Sequence, residues 1–540
     1  MRRGAMTDTR AQVAEAVRAG RTTVGVELGS TRIKVCLVGP DGAPVATGSH
    51  DWENQLVERV WTYSLDAVWA GLQGAYASLV ADVEARYGVR PTTYEAMGVS
   101  AMMHGYLAFD EHDELQVPFR TWRNTSTGPA AAELSALLGQ NIPLRWSVAH
   151  RHQAVLDDEP HVPATRFLTT LAGYVHWRLT GRKVLGVGDA SGMFPVDPAT
   201  RDYDADLLAR ADELLAGRAR TAGAPGLAEL LPQVLVAGQE AGRLTAEGAA
   251  LLDPSGGLLP GVPLCPPEGD AGTGMVATAS VAPRTANVSV GTSIFAMVVL
   301  EQPLARAHDE LDLVTTPAGD LVAMVHCNNG ASELGEWAGL LGELTAALGH
   351  DDASDEVFGA FLRAALDGDA DGGGLLAYNY LSGEPITGLV EGRPLLVRTP
   401  DSRLTLANFA RVQVYGAFAT LSLGMRVLAD EGVALEAMFA HGGLFRTAGV
   451  AQRLLAAAID APVAVGQAAG EGGAWGIAVL ARYLVAAQGR DLGTYLAQDV
   501  FADAAIDVVT PDPHDVQGFA AYLRRYETGL TVERTATEVL

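Results

Sequence analysis

Val24-Gly25-Val26-Glu27-Leu28-Gly29-Ser30-Thr31-Arg32-Ile33-Lys34-Val35-Cys36-Leu37-Val38 reads as two β-rich runs joined by a tight Gly-Ser-Thr turn. Asp41-Gly42 supplies a second hairpin turn and leads into a further strand from Pro44 to Gly48. Antiparallel strands therefore open the first domain. The pattern returns at Asn287-Val288-Ser289-Val290, Gly291-Thr292-Ser293, Ile294-Phe295-Ala296-Met297-Val298-Val299. Laying Gly29 on Gly291 brings Ser30-Thr31 onto Thr292-Ser293, which reads as an internal duplication of a domain that starts with a glycine hairpin. Such a turn exposes backbone N–H groups and hydroxyls, the donors that hold phosphate oxygens. Two unrelated hairpins are the alternative, because Gly-Ser/Thr turns are common.

Between the hairpins the pattern predicts an amphipathic helix from about Leu65 to Tyr87 and a strand, Ala96 to Ser100, that runs into Met102-Met103-His104-Gly105. Polar residues just beyond a buried strand sit where α/β folds place ligands, although a lone His is as readily a structural hydrogen bonder. Pro118 to Asn124 is a polar loop whose Trp122 suits the apolar face of a sugar or, equally, a core. A helix is expected over Leu168 to Thr180, stopped by Gly181, followed by a polar turn at Gly188-Asp189-Ala190-Ser191-Gly192. Glu268-Gly269-Asp270-Ala271-Gly272-Thr273-Gly274, after Pro263, Pro266 and Pro267, reads as an acidic turn whose carboxylate can reach a ligand, or as an ordinary surface turn.

The second half repeats the alternation. Tyr378 to Pro385 is a loop, Leu406 to Ala429 a long helix with Thr405 as its cap, and Ala437 to Ala440 a short strand ending in His441-Gly442-Gly443. The glycine pair leads to a helix from Arg446 to Ile459 and leaves room for a flat ligand, or is simply a tight turn. Gly470-Glu471-Gly472-Gly473 begins an Ala-rich helix ending near Ala487.

At 540 residues the chain suits two large domains. The expected division is an extension over 1–21, domains over 22–281 and 282–488, and peripheral helices over 489–540. The 38 basic and 64 acidic residues leave a formal charge of -26, with no Lys/Arg cluster to track a phosphate backbone, so no nucleic-acid partner is expected. Cys36, Cys265 and Cys327 are far apart and form neither a C-x-x-C pair nor a disulfide framework. No apolar run approaches the ~20 residues of a membrane span and the first twenty residues lack a signal-peptide core, so the expectation is a cytoplasmic protein without a membrane partner.

The sequence rules out a P-loop and speaks against a Rossmann site, a zinc site and an α/β-hydrolase. The two lysines, Lys34 and Lys183, follow Ile33 and Arg182, so the GK[ST] of a P-loop is absent. No G-x-G-x-x-G follows a strand with a later acidic partner, and H-E-x-x-H, a spaced Cys/His cluster and G-x-S-x-G are all missing. Any phosphate must be held by turns.

Taken in order, Gly29-Ser30-Thr31, Met103-His104-Gly105, Gly269-Asp270, Gly291-Thr292-Ser293, Ser382-Gly383-Glu384, Gly442-Gly443 and Glu471-Gly472-Gly473-Ala474 resemble the FGGY carbohydrate kinases from about Thr23 to Ala487. Met-His-Gly after the strand resembles the xylulokinase-type members, and the run of the chain resembles the pentulose kinases. The resemblance implies an α/β fold of two actin-like, ribonuclease H-like domains with ATP, Mg²⁺ and sugar in a central cleft. It makes Asp270 the catalytic base, and Asp270 with Glu27, through water, the metal-binding acids. Gly29, Ser30, Thr31 and Lys34 become the first phosphate hairpin, Gly291, Thr292 and Ser293 the second, and Gly442 and Gly443 the adenosine turn. Met103, His104, Gly105, Trp122 and Asn124 line the sugar pocket.

Two positions depart from the family pattern. Glu27 stands where the first strand usually carries Asp, and Trp122 is followed by Arg123 and Asn124 rather than by a nearby Asp; Asp189 is the alternative source of that carboxylate, or a turn residue. The resulting expectation is an ATP-dependent kinase for a ketopentose, L-ribulose ahead of D-xylulose, with a homodimer left open. The competing readings are a kinase for another sugar or polyol, a hydrolase of polyphosphorylated compounds on the same fold, and an actin-like sensor or scaffold that has lost catalysis.

Overall fold

The computed structural model describes residues 2–216, 224–350, 354–466 and 472–540. The chain packs as two compact units: Met1–Val281 with Asp312–Val322 and Ala468–Asp503, and Ala282–Leu311 with Ala323–Gln467 and Ala504–Leu540. The units therefore interleave in sequence, unlike the contiguous division at 281 and 488. The 1–21 extension is no appendage, since Ala14 and Val17 lie in the first unit's core.

In the first unit the sheet runs Gly242–Arg243, Pro263–Leu264, Ala96–Ala101, Thr23–Leu28, Arg32–Val38, Pro44–Asp51, with Glu268–Gly269 also on Ala96–Ala101. Thr23–Leu28 is antiparallel to Arg32–Val38 and parallel to Ala96–Ala101. Two glycine placements explain how helices cover both faces. Gly25 and Gly98 are register neighbours, and a Cβ on either would lie 2.1 Å from the Ala474 carbonyl oxygen or 2.6 Å from Ile477 Cγ1, both in helix Gly472–Ala486. Gly48, on the opposite pleat, would strike the Ala75 carbonyl oxygen of helix Leu65–Tyr87 at 2.2 Å. That helix has the predicted bounds because Ser64 caps its start by accepting from Ala67 N at 3.1 Å, and Gly88 ends it at φ 68°.

The second unit's sheet repeats the plan: Leu321–Cys327, Ile294–Val299, Thr285–Val290, Ala437–Gly442, Val463–Gly466, Ile506–Val509. Thr285–Val290 is antiparallel to Ile294–Val299 and parallel to Ala437–Gly442, as in the first unit. The duplication is thus one of topology, and it slips at the hairpins. Leu28 faces Ile33 across a four-residue turn, whereas Val290 faces Ile294 across three residues. Helix Leu406–Asp430 is long and apolar enough to cross a membrane, but 72% of that apolar window is buried, as in a core helix.

Several local expectations need correction. Leu168 to Thr180 is a strand, Phe167–Thr169, then a helix, Leu171–Thr180, because Thr170 accepts from Gly173 N at 3.2 Å and caps it there. Gly188 to Gly192 begins within a short buried helix, Val187–Ala190, rather than as a polar turn, since the Glu268 carboxylate accepts from Asp189 N at 2.9 Å. Arg446 to Ile459 divides into a 3₁₀ turn, Gly443–Arg446, and a helix, Val450–Ile459, at Gly449 with φ 78°. Gly470 and Glu471 lie outside the described residues. The tail is not peripheral: in helix Pro513–Val539, Tyr522 and Tyr526 are fully buried.

Candidate active site

Asp270 is the first residue of helix Asp270–Ala277, directly after the strand Glu268–Gly269 that pairs with Ala96–Ala101. The expected free turn is therefore a strand-to-helix junction. Ala101 lies beside Gly269 in the register, so the chain leaving each strand arrives at one place: Asp270 Oδ1 accepts the Met103 N–H at 3.1 Å. Thr273, one turn along the helix, is tied to Ser100 by a hydroxyl pair at 3.0 Å. Desolvation pushes the Asp270 carboxyl up to about 6, opposed by the N–H groups of Met103 and Ala271. A carboxylate tuned toward neutrality is suited to accept a proton at physiological pH.

Glu27 shares this neighbourhood. It faces Lys34 on one side of its strand and Ser100 on the other, and it accepts from Ala474 N at 3.2 Å at the start of helix Gly472–Ala486. Burial raises its carboxyl to about 7; Lys34 lowers it and the Asp270 charge raises it further. Two carboxylates that each resist ionisation and repel one another are a donor set a hard divalent cation relieves. Mg²⁺ needs only one or two such groups besides water and phosphate oxygens. Glu27 and Asp270 thus fit the metal, although no group of three or more His, Cys, Asp or Glu is poised for one among the described residues.

Met103-His104-Gly105 turns sharply, with His104 at φ 71° and Gly105 at φ 95°. A Cβ on Gly105 would lie 2.8 Å from the Arg120 carbonyl oxygen, so this turn abuts the loop that carries Trp122. His104 is buried, with Nδ1 donating to the Gly192 carbonyl at 3.3 Å, and its ring stacks at 6.5 Å on Trp146. Trp122 is 39% exposed and presents its ring to solvent. Asn124 differs from the expectation: its amide accepts from Trp61 N at 2.9 Å and donates to the carbonyls of Trp61 and Thr121 at 2.8 and 2.9 Å. It fastens the loop and has only one acceptor lone pair left for a ligand. Asp189 is fully buried, with Oδ2 accepting from the Thr170 hydroxyl at 2.6 Å and Oδ1 unpartnered. Burial raises it to about 7, with the Asp270 charge contributing.

The first hairpin turns its carbonyls inward. Gly29 O accepts from Trp52 Nε1 at 2.7 Å, Ser30 O from the Tyr63 hydroxyl at 2.5 Å, and Thr31 O from Trp52 N at 3.1 Å. Ser30 and Thr31 remain exposed. In the second unit Gly291 O and Thr292 O accept from the N–H groups of Ala331 and Gly330 at 2.8 and 2.7 Å, and Gly291 and Thr292 are exposed. The glycine pair after strand Ala437–Gly442 is split in purpose. A Cβ on Gly442 would strike Val290 O at 2.1 Å, whereas Gly443 has open space around it. Trp52, Tyr63 and the Asn328-Asn329-Gly330 loop were not singled out from sequence. Polar residues directly after the strand Leu321–Cys327 were the available signal for the last of these.

The sequence pattern described as "FGGY family of carbohydrate kinases, N-terminal domain" matches residues 22–277, and its C-terminal counterpart matches residues 286–485. Among solved structures, a xylulose kinase from Rhodospirillum rubrum is 20% identical with a TM-score of 0.76, over 95% of this chain and 99% of that one. A gluconate kinase from Lactobacillus acidophilus is 18% identical with a TM-score of 0.75, over 95% and 98%. A glycerol kinase from Plasmodium falciparum, solved with ADP, is 13% identical with a TM-score of 0.72, over 95% and 98%.

Proposed function

The chain belongs to the FGGY family of carbohydrate kinases and has that family's two-domain, actin-like α/β fold, and from this premise we propose that it transfers the γ-phosphate of ATP to a hydroxyl of a ketopentose, L-ribulose or D-xylulose. The observation that carries the reading is Asp270: a carboxylate raised to about 6, fixed by the Met103 N–H beside the Met103-His104-Gly105 turn. A sugar hydroxyl is a weak nucleophile at neutral pH. Asp270 takes its proton as the oxygen attacks the γ-phosphorus and the bond from that phosphorus to the bridging oxygen of ADP breaks; ADP leaves, and the proton stays on the carboxyl until it is lost to solvent.

Each hairpin taken by itself, Ser30-Thr31 in the first unit and Thr292-Ser293 in the second, carries hydroxyls and backbone N–H groups of the kind that suit non-bridging phosphate oxygens, whose charge grows as a phosphoryl group transfers. Lys34 places a cation beside Glu27 on the neighbouring strand. Glu27 and Asp270 would hold Mg²⁺, which supplies charge neutralisation at the phosphates when bound. Gly443, open on its exposed side, leaves room for the adenosine. Trp122 offers its ring to the apolar face of the sugar, His104 and Met103 border it, and Asn124 acts by holding the loop.

The test is ADP release with L-ribulose, D-xylulose, D-ribulose, gluconate, glycerol or no sugar. Turnover stimulated by a ketopentose above the other acceptors is expected. Stimulation by glycerol or gluconate alone would keep the kinase and replace the substrate, and no stimulation by any acceptor would sink the reading.

A further inference from the structure

The second hairpin is exposed and three residues long, so its shape has to be imposed from behind. Gly330 N and Ala331 N hold its two carbonyls at 2.7 and 2.8 Å. The approach is close: a Cβ on Gly330 would lie 2.4 Å from Gly291 O and 2.9 Å from Thr292 O. This supporting loop is in turn held by buried side chains centred on Asn329, with Asn379 Nδ2 donating to Gly330 O at 2.8 Å and Glu384 Oε2 accepting from Asn329 N at 3.2 Å. Asn329, 4% exposed, accepts through Oδ1 from Leu381 N at 2.9 Å, Ser382 N at 3.0 Å and the Ser382 hydroxyl at 3.3 Å. Its Nδ2 donates to Ser382 O at 3.2 Å and Glu384 Oε2 at 3.1 Å, and Asn379 Nδ2 donates to its carbonyl at 3.1 Å.

The first hairpin solves the same problem with different parts. Trp52 and Tyr63, stacked at 4.1 Å, supply the donors behind Gly29, Ser30 and Thr31. At the second hairpin, backbone N–H groups take the place of the aromatic donors. Backbone donors are only as well placed as the loop that carries them. A buried amide that donates and accepts on both edges fixes such a loop more rigidly than a single contact would.

We infer that Asn329 is the positioning residue of the nucleotide's phosphate-holding turn in the second unit, acting through Gly330 on Gly291 and Thr292. The inference rests on the kinase reading of that hairpin. It deepens it by naming a residue that touches neither substrate yet sets the affinity for one of them. Displacement of a binding turn by about an ångström is enough to cost ~10- to 100-fold.

Two variants of the full chain test it, Asn329→Ala and Gly330→Ala, the latter pushing on the hairpin while leaving the amide network intact. ATP binding is measured by calorimetry with Mg²⁺ and no sugar, together with KM for ATP and for the sugar. Both variants are expected to weaken ATP about tenfold or more, with the sugar KM within about twofold of wild type. If Asn329→Ala only lowers the melting temperature and keeps wild-type ATP affinity, the inference is overturned. Should that variant fail to fold, Gly330→Ala decides: unchanged ATP affinity refutes the positioning role. Wild-type protein that binds no ATP would instead overturn the kinase reading, a distinct result.

Discussion

Asp270 Oδ1 accepts the backbone N–H of Met103 at 3.1 Å, so the proposed base and the proposed sugar turn are fastened to each other. Asparagine at 270 keeps that acceptor and loses the proton-accepting charge. Asp270→Asn is expected to lower kcat by ~10²-fold or more, read by steady-state ADP release. The same variant is expected to be more stable above pH 7. A carboxyl whose folded pKa of about 6 exceeds its ordinary value carries a penalty at pH above 6, and the penalty vanishes at pH below 4. The gain, ~3 kcal/mol at pH 8, disappears by pH 4 in denaturant titrations.

The activity profile follows from the same group. A base with a carboxyl near 6 is competent when ionised, so kcat/KM is expected to be level above about pH 7 and to fall tenfold per unit below about 6. A profile that stays flat to pH 4.5 would mean that Asp270 is not the group whose ionisation limits turnover.

His150 supplies an opposite pH dependence. It is fully buried, neither ring nitrogen has a partner, and burial, aided by the Arg120 charge, depresses it to about 3. The unfolded chain binds a proton at this residue below about pH 6.5 and the native protein does not, so stability is lost as pH falls through that window. Replacing it should remove this loss. The stability of His150→Leu relative to wild type is expected to improve by ~1.4 kcal/mol per pH unit between about 6.5 and 4, measured by urea unfolding.

How legible was this in the sequence? The hairpins, helix Leu65–Tyr87 and the capped helix at Thr405 were legible because local chemistry alone determines them: β-branched runs, a Ser or Thr cap, a closing glycine. The helix starts at Leu171 rather than Leu168 because Thr170 is its cap, a role that apolar periodicity does not distinguish from a place inside the helix. Val187–Ala190 was missed for a different reason. Its N-terminal N–H groups are satisfied by Glu268, almost eighty residues away, and no local window contains that partner. At Asp270 the expected turn is a strand-to-helix junction, since the pairing of Glu268–Gly269 with Ala96–Ala101 is what turns a glycine-rich loop into a strand end. The family resemblance puts Asn124 in the sugar pocket, yet its hydrogen bonds to Trp61, more than sixty residues away in sequence, decide what its amide does.

That difference separates two neighbouring residues. Trp122→Ala removes an exposed ring and is expected to raise the sugar KM several-fold while leaving the melting temperature within about a degree. Asn124→Ala deserts the backbone groups of Trp61 and Thr121 and should cost ~1–3 kcal/mol in stability. Thermal unfolding and sugar KM, measured on both, distinguish ligand contact from loop support. Equal melting temperatures for the two variants would reject the assignment of Asn124 to the loop.

The C-terminal helix gives the largest expected stability effect in the second unit. Arg411 and Asp515 have side chains only 1% and 2% exposed, joined at 3.1 Å, and Asp515 also accepts from Arg453 at 2.6 Å. These charges hold the Asp515 carboxyl below the usual carboxylate range. Further along, the Tyr522 hydroxyl donates to Ala377 O at 3.1 Å, and the Tyr526 carbonyl accepts from the Tyr378 hydroxyl at 2.8 Å. Removing one partner of a buried pair leaves the other charge uncompensated, so Asp515→Ala is expected to destabilise by ~3–5 kcal/mol. Replacing both, Arg411→Met with Asp515→Leu, should recover most of that loss, because no charge is then left unpaired in the interior. Denaturant midpoints of the single and double variants check it; a double variant less stable than Asp515→Ala would show that Arg411 contributes mainly through its bonds to Ala365 O and the Tyr415 hydroxyl rather than through its charge.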